Sequence, residues 1–230
     1  MTNSLPEEPM HIHPTAPSQS SADEEYLPVP WAVLESYRCF GCSPHNANGL
    51  RLRFAFRPDG IATRFRLDRT HESYPGVVHG GLIGVICDET MGNLIVLRTG
   101  LTSFTTGMRL RYVTAMRVNT DYQCVARLQA GTAEPVSNPT GGPTGGPTGG
   151  PTGAGGLVRA EAEILDAAGS LVAAASATYR PTSMNIARQR LDLRPDEFDR
   201  VAEAITAAQA AQAANAVQAA NAAQAVGGQG

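Results

Sequence analysis

Between His79 and Leu97 the chain runs for about 19 residues with one adjacent pair of charges, Asp88-Glu89, in an otherwise apolar stretch. Its length and its Leu, Ile, Val and Met content predict one buried helix and not a strand, ended by Thr99-Gly100. A helix apolar nearly all round must be covered on most sides, and this requirement governs what the rest of the chain can form. The flanks offer strands. Leu50, Leu52, Phe54 and Phe56 alternate with Arg51, Arg53, Ala55 and Arg57. Past the turn Pro58-Asp59-Gly60, Thr63, Phe65 and Leu67 alternate with Arg64, Arg66 and Asp68, a hairpin pattern with a solvated, Arg-bearing face. After the helix come Met108–Val113, Tyr122–Leu128, Val158–Ile164 and, past Asp166-Ala-Ala-Gly169, Leu171–Tyr179. The order strand, strand, long helix, four strands predicts an α+β fold in which one curved antiparallel sheet wraps the helix.

Composition limits where that fold lies. Residues 1–30 are rich in Pro, Ser and acids and read as a disordered arm. Residues 135–155 carry a Pro-Thr-Gly-Gly repeat that no core can use, placed where a hairpin loop belongs; such insertions cost little stability. The folded domain is expected over 31–182, with a helical extension over 183–206 whose helix spans Arg194–Ile205. Pro195 at its start and acids in its first turn support that helix. Residues 207–230, mostly Ala, Gln and Asn, read as a low-complexity tail without large apolar anchors.

All eighteen basic residues are Arg. The first thirty residues hold five acids and no base, whereas 31–181 hold fourteen Arg against eleven acids, so the folded part is mildly cationic. That excess is too small for a nucleic-acid surface and suits a ligand with a few phosphates. With no basic and apolar leader at Met1, an apolar run Leu82–Cys87 too short to span a bilayer and four cysteines expected to be reduced, a cytoplasmic protein away from membranes is expected.

The candidate chemistry centres on His79-Gly80-Gly81 and Asp88. Small residues at a helix start let a substrate approach N–H groups that have no intrahelical partner. A carboxylate inside an apolar helix must be hydrogen-bonded or functional. Asp88 lines up with Gly81, Gly84 and Gly92, a small-residue face with room for a substrate. Glu89 points about 100° away, toward Val85 and Asn93, left either to pair with an Arg or to sit at a subunit contact. Ser73, Thr105 and Thr106 are the candidate hydroxyls in the segments flanking the helix. Cys39-Phe-Gly-Cys42 is a lone C-x-x-C, with His45 and the distant Cys87 and Cys124 as the nearest further zinc ligands; it is expected to be a turn without metal.

Taken together, Cys39-Phe-Gly-Cys42, Asn46, Gly49-Leu50, Tyr74-Pro-Gly-Val-Val-His79-Gly-Gly and Asp88-Glu-Thr-Met-Gly92 resemble the hotdog-fold acyl-CoA thioesterases. The resemblance is to the phenylacetate-pathway type of the 4-hydroxybenzoyl-CoA thioesterase superfamily, over about residues 38–181. It implies a hotdog fold and hydrolysis of an acyl-CoA, without a cofactor or metal, at sites formed across the interface of a homodimer or homotetramer. It makes the Gly80 N–H the group that polarises the thioester carbonyl and Asp88 the nucleophile or the general base on water. His79 would orient the carbonyl, and Thr105 would assist the attacking water from the partner subunit. Ser73 stands where active members often carry Asn. Gly81, Glu89, Thr106 and Arg111 are substrate-binding candidates, with Arg109 and Arg117 as further partners for CoA phosphates. The alternative implied by the same fold is an acyl-CoA-binding protein that does not cleave its ligand.

Overall fold

A computed structural model describes residues 26–129 and 156–227. Its chain order is β1 (Tyr26–Leu27), β2 (Phe54–Arg57), β3 (Gly60–Arg66), β4 (Glu72–Tyr74), β5 (Val77–Val78), α1 (Gly80–Thr99) and β6 (Thr102–Tyr112). β7 (Asp121–Leu128), β8 (Val158–Asp166), β9 (Leu171–Thr182), α2 (Met184–Ala187) and α3 (Pro195–Gly227) follow. Seven strands form one antiparallel sheet in the order β1-β2-β3-β7-β8-β9-β6, and β4 pairs with β5 in a separate small hairpin. The expected α+β hotdog arrangement of a curved antiparallel sheet around one long helix is present.

Why the sheet can close on α1 is visible in β8 and β9. Val158, Ala160, Ala162 and Ile164 face inward while Arg159 and Glu161 are exposed, and Ala173, Ala175 and Ala177 are buried on β9. Small inward side chains leave room for Ile86, Cys87, Met91 and Leu94 of α1, which share one apolar cluster with them. Each large side chain so buried contributes about 1.5–3 kcal/mol. The helix has the length and composition of a membrane span, yet twelve of its twenty residues are buried within this fold.

Several boundaries differ from the sequence expectation. The first strand was expected from Leu50, but β2 begins at Phe54. Upstream, the Leu50 and Leu52 N–H groups donate to Phe40 O (2.7 Å) and Gly41 O (2.9 Å), and Arg51 has φ +50°, which breaks the extended run. The 1–30 arm overran its end: Tyr26–Leu27 pairs with Phe54–Ala55, Leu27 enters the core, and the Arg53 guanidinium lies 3.6 Å from the Tyr26 ring centroid. Residues 1–25 of the arm and the Pro-Thr-Gly repeat lie outside the described residues; β7 and β8, which flank the repeat, pair as hairpin neighbours.

The largest correction concerns the C-terminal helix. Expected to end at Ile205, it continues without a break to Gly227. Alanine's helix propensity sustains it, and burial at Val201, Ile205, Ala208 and Gln212 follows one helical stripe. Val201 and Ile205 pack with Leu34 and Val96, covering α1 on the side away from the sheet. With its amide turned so that nitrogen faces Leu97 O (2.9 Å) and oxygen faces Arg98 Nε (3.0 Å), the orientation that satisfies both, Gln212 donates to the first and accepts from the second, closing the last turn of α1. Gly100 ends that helix at φ +68°.

Candidate active site

At the start of α1, His79 is the N-cap: its Nδ1 accepts from the Gly81 N–H at 3.0 Å. The neighbouring Gly80 N–H has no hydrogen-bond acceptor among the described residues, as expected for a first-turn donor. Its carbonyl accepts from the Tyr112 hydroxyl (3.1 Å), and a Cβ at Gly80 would lie 3.2 Å from that hydroxyl. Gly80 therefore permits close packing while leaving one backbone donor open. Ser73 lies exposed on β4 in the small hairpin before this helix start. Arg111 is exposed beside Tyr112 on β6.

Two turns along the helix, Asp88 is half-buried and lines a cavity of 270 Å³ with Trp31, Tyr37, Glu89, Gly92, Asn93 and Thr105 among its walls. Its Oδ1 accepts from the Thr105 hydroxyl (2.8 Å) and the Tyr179 hydroxyl (2.9 Å). Burial, with the Asp88 charge beside it, pushes the Tyr179 hydroxyl above its ordinary pKa, so it remains a donor. Oδ2 accepts no hydrogen bond among the described residues. One carboxylate oxygen is thus held by two hydroxyls and the other is left for a water or a substrate carbonyl.

A register shift in β6 produces this convergence. Thr105 pairs with Tyr179, but Gly107 pairs with Thr178, so Thr106 is the extra residue of a bulge. The bulge turns Thr105 toward α1, whereas the Thr106 hydroxyl donates to Thr178 O (2.9 Å) within the sheet. Thr105, expected to act from a partner subunit, contacts Asp88 of its own chain. The small-residue face divides as well: a Cβ at Gly84 would meet Met108 and Leu110 of β6, while one at Gly92 would meet nothing within 4 Å.

Glu89 faces a different environment from Asp88. The Cys39 thiol donates to its Oε1 (3.0 Å), and Asn93 Nδ2 lies 3.5 Å from its Oε2. Burial pushes the Glu89 carboxyl up to about 8. Its partners among the described residues are Cys39 and Asn93, not the Arg that the sequence offered as one alternative.

The structure brings Asp88, Glu89 and Thr105 together, while His79, Gly80, Gly81, Ser73 and Arg111 belong to the helix-start end. Helix rise separates Gly80 from Asp88 by about 12 Å. Sequence reasoning passed over Tyr179, although its inward position in the alternation of β9 marked it as a buried phenol needing a partner. Tyr37 and Asn93 carried no comparable signal.

No protein-family profile and no curated protein matches this sequence. Solved structures do match in shape. A thioesterase superfamily protein aligns with a TM-score of 0.50 at 14% identity, over 70% of this chain and 72% of that one. A Streptococcus mutans protein bound to acetyl CoA aligns at 0.45 and 16%, over 65% and 96% respectively. A hypothetical thioesterase from Streptococcus pneumoniae with coenzyme A aligns at 0.43 and 16%, over 57% and 86%. At these identities the likeness is one of architecture, and this chain has the hotdog fold that thioesterase-superfamily proteins share.

Proposed function

We propose that the chain is an acyl-CoA thioesterase whose active site is completed by a second copy of itself. The observation that carries this reading is the Asp88 carboxylate, held through Oδ1 by Thr105 and Tyr179 at the wall of a cavity. In this reading Asp88 attacks the thioester carbonyl, either directly or through a water whose proton it takes. The carbonyl oxygen becomes an oxyanion, a helix-start N–H stabilises it, and the CoA thiolate leaves to collect a proton.

The oxyanion donor has to come from elsewhere than the same helix. The carbonyl carbon and oxygen of a thioester are about 1.2 Å apart, whereas Gly80 and Asp88 of one chain are about 12 Å apart. Two antiparallel α1 helices would bring Gly80 of one chain to Asp88 of the other, twice per dimer. The edge strand β6, with Met108 and Tyr112 open to solvent and exposed Val113 just past its end, supplies apolar surface for that pairing. Arg109 and Arg111 on the same strand lie at the Gly80 end, suited to CoA phosphates.

A panel of CoA thioesters from acetyl to palmitoyl, with phenylacetyl and hydroxybenzoyl, tests the reading by thiol release. Hydrolysis abolished by Asp88→Asn in a folded, associated protein supports it. Tight acyl-CoA binding without thiol release would replace it with the non-catalytic binding protein. Direct attack forms an Asp88–acyl anhydride, and label found in Asp88 after a single turnover in isotopically labelled water, from opening at the Asp88 carbonyl, would establish that route.

A further inference from the structure

The thioester chemistry makes no use of the second acid of the pair, nor of the C-x-x-C turn pressed against it. Cys39 Sγ, Cys42 Sγ and a Glu89 carboxylate oxygen all lie within 4.8 Å of one another, drawn from a loop and a helix far apart in sequence. We propose that these three side chains bind a zinc ion that ties the Cys39–Cys42 loop to α1.

The donor set suits a borderline-soft divalent cation: two thiolates and one carboxylate. Zn–S of about 2.3 Å and Zn–O of about 2.0–2.2 Å in a tetrahedron put donors roughly 3.5–3.8 Å apart. The Cys39–Glu89 contact at 3.0 Å is a hydrogen bond in this structure, so closing on an ion needs only a small outward shift there. The turn is built to present both sulfurs to one point. The Ser43 N–H donates to Cys39 O (3.3 Å), and the Phe40 and Gly41 carbonyls accept from the Leu50 and Leu52 N–H groups. Gly41 is required by the approach itself, because a Cβ there would lie 2.1 Å from Glu89 Cγ.

Outer contacts complete the arrangement in the way metal ligands are usually supported. The Tyr37 hydroxyl is 3.3 Å from Cys42 Sγ, and Asn93, one turn further along α1, donates through Nδ2 to Glu89 O (2.9 Å). Tyr37, Glu89 and Asn93 also line the cavity, so a water can reach the fourth position. His45 is not part of this cluster, and its Nε2 meets Ala32 O at 2.9 Å. Without a cation, two thiols and a carboxyl crowd one half-buried point. An ion relieves that crowding as the thiol and carboxyl protons pass to solvent.

The test is metal content of the full chain purified under reductant with zinc supplied, read by elemental analysis together with the thiolate-to-metal absorption of the cobalt-substituted protein. Close to one zinc per chain and a cobalt–thiolate band are expected in wild type and in His45→Ala. Both are expected to be lost in Cys39→Ser and Cys42→Ser, with circular dichroism confirming that these chains fold, and zinc affinity is expected to fall at least tenfold in Glu89→Gln. Substoichiometric zinc with no cobalt band, a Cys39–Cys42 disulfide under reductant, or zinc retained in both Cys variants would each overturn the proposal. None of these readouts depends on thioester hydrolysis, so a chain that hydrolyses nothing still tests the metal site.

Discussion

Tyr179→Phe is the sharpest probe of how Asp88 is held. The ring is 1% exposed and packs in the main core, so removing only the hydroxyl preserves its packing. What disappears is the 2.9 Å hydrogen bond to Asp88 Oδ1, leaving Thr105 alone at 2.8 Å. A hydrogen bond to a charged group is worth about 1.5–3 kcal/mol, which corresponds to roughly 10- to 100-fold in rate if it is used to aim the carboxylate. An aiming error of about 1 Å would cost a similar factor. The expected result is therefore a fall in kcat of that size with KM little changed, measured by thiol release from the best acyl-CoA. Stability should fall by only about 1 kcal/mol in urea. Thr105→Val should give a comparable loss, and the double variant less than the product of the two, because both hydroxyls serve one oxygen. A Tyr179→Phe enzyme with kcat within about twofold of wild type would refute the idea that these hydroxyls position Asp88.

Other consequences are more local. Gly92→Leu should narrow the cavity, since nothing lies within 4 Å of a Cβ there, and should raise KM for long acyl groups more than for acetyl in a chain-length series. Gln212→Ala should destabilise the fold by about 1–3 kcal/mol in urea titrations by leaving Leu97 O unpaired at a buried helix end; no change would mean the C-terminal helix does not support α1. The Arg127 hydrogen bond at 2.6 Å, opposed by partial burial, holds the Asp59 carboxyl below its ordinary range. A depressed carboxyl pKa adds stability that is present above the unfolded value and lost as pH falls through the folded one. Asp59→Asn should remove that acid-side slope below about pH 4, by no more than about 1 kcal/mol because the pair is exposed; an unchanged acid slope in urea titrations would count against it.

The sequence showed most where burial imposes a period. The α1 helix, the alternation on β8 and the turn at Pro58-Gly60 were all readable, because one-sided burial writes itself as spacing. Asp88 was readable for a related reason: a charge inside an apolar helix has to be satisfied by something. What satisfied it was not readable. Thr105 and Tyr179 meet at Asp88 only because of a bulge at Thr106, and an extra residue in a strand leaves no mark on composition. The C-terminal helix was cut short since Ala and Gln look unanchored one at a time. Its anchors, Ala208 and Gln212, gain meaning only against α1. The Cys39–Cys42 turn and Glu89 are far apart along the chain, and only the fold shows that they share a point.

The account rests on a site built from two chains, and complementation tests it most directly. Asp88→Ala removes the carboxylate. Gly80→Pro removes the open N–H at the first helical position, where proline is tolerated and where His79 already has the extended conformation (φ −62°, ψ 127°) that a following proline favours. Each variant alone should hydrolyse no acyl-CoA. Unfolded together and refolded as a mixture, half of the dimers are mixed and each carries one intact site, so roughly a quarter of wild-type activity should return. If the mixture stays as inactive as its parents while mixed dimers are shown to form, Gly80 and Asp88 do not act across the interface and the shared-site account is wrong.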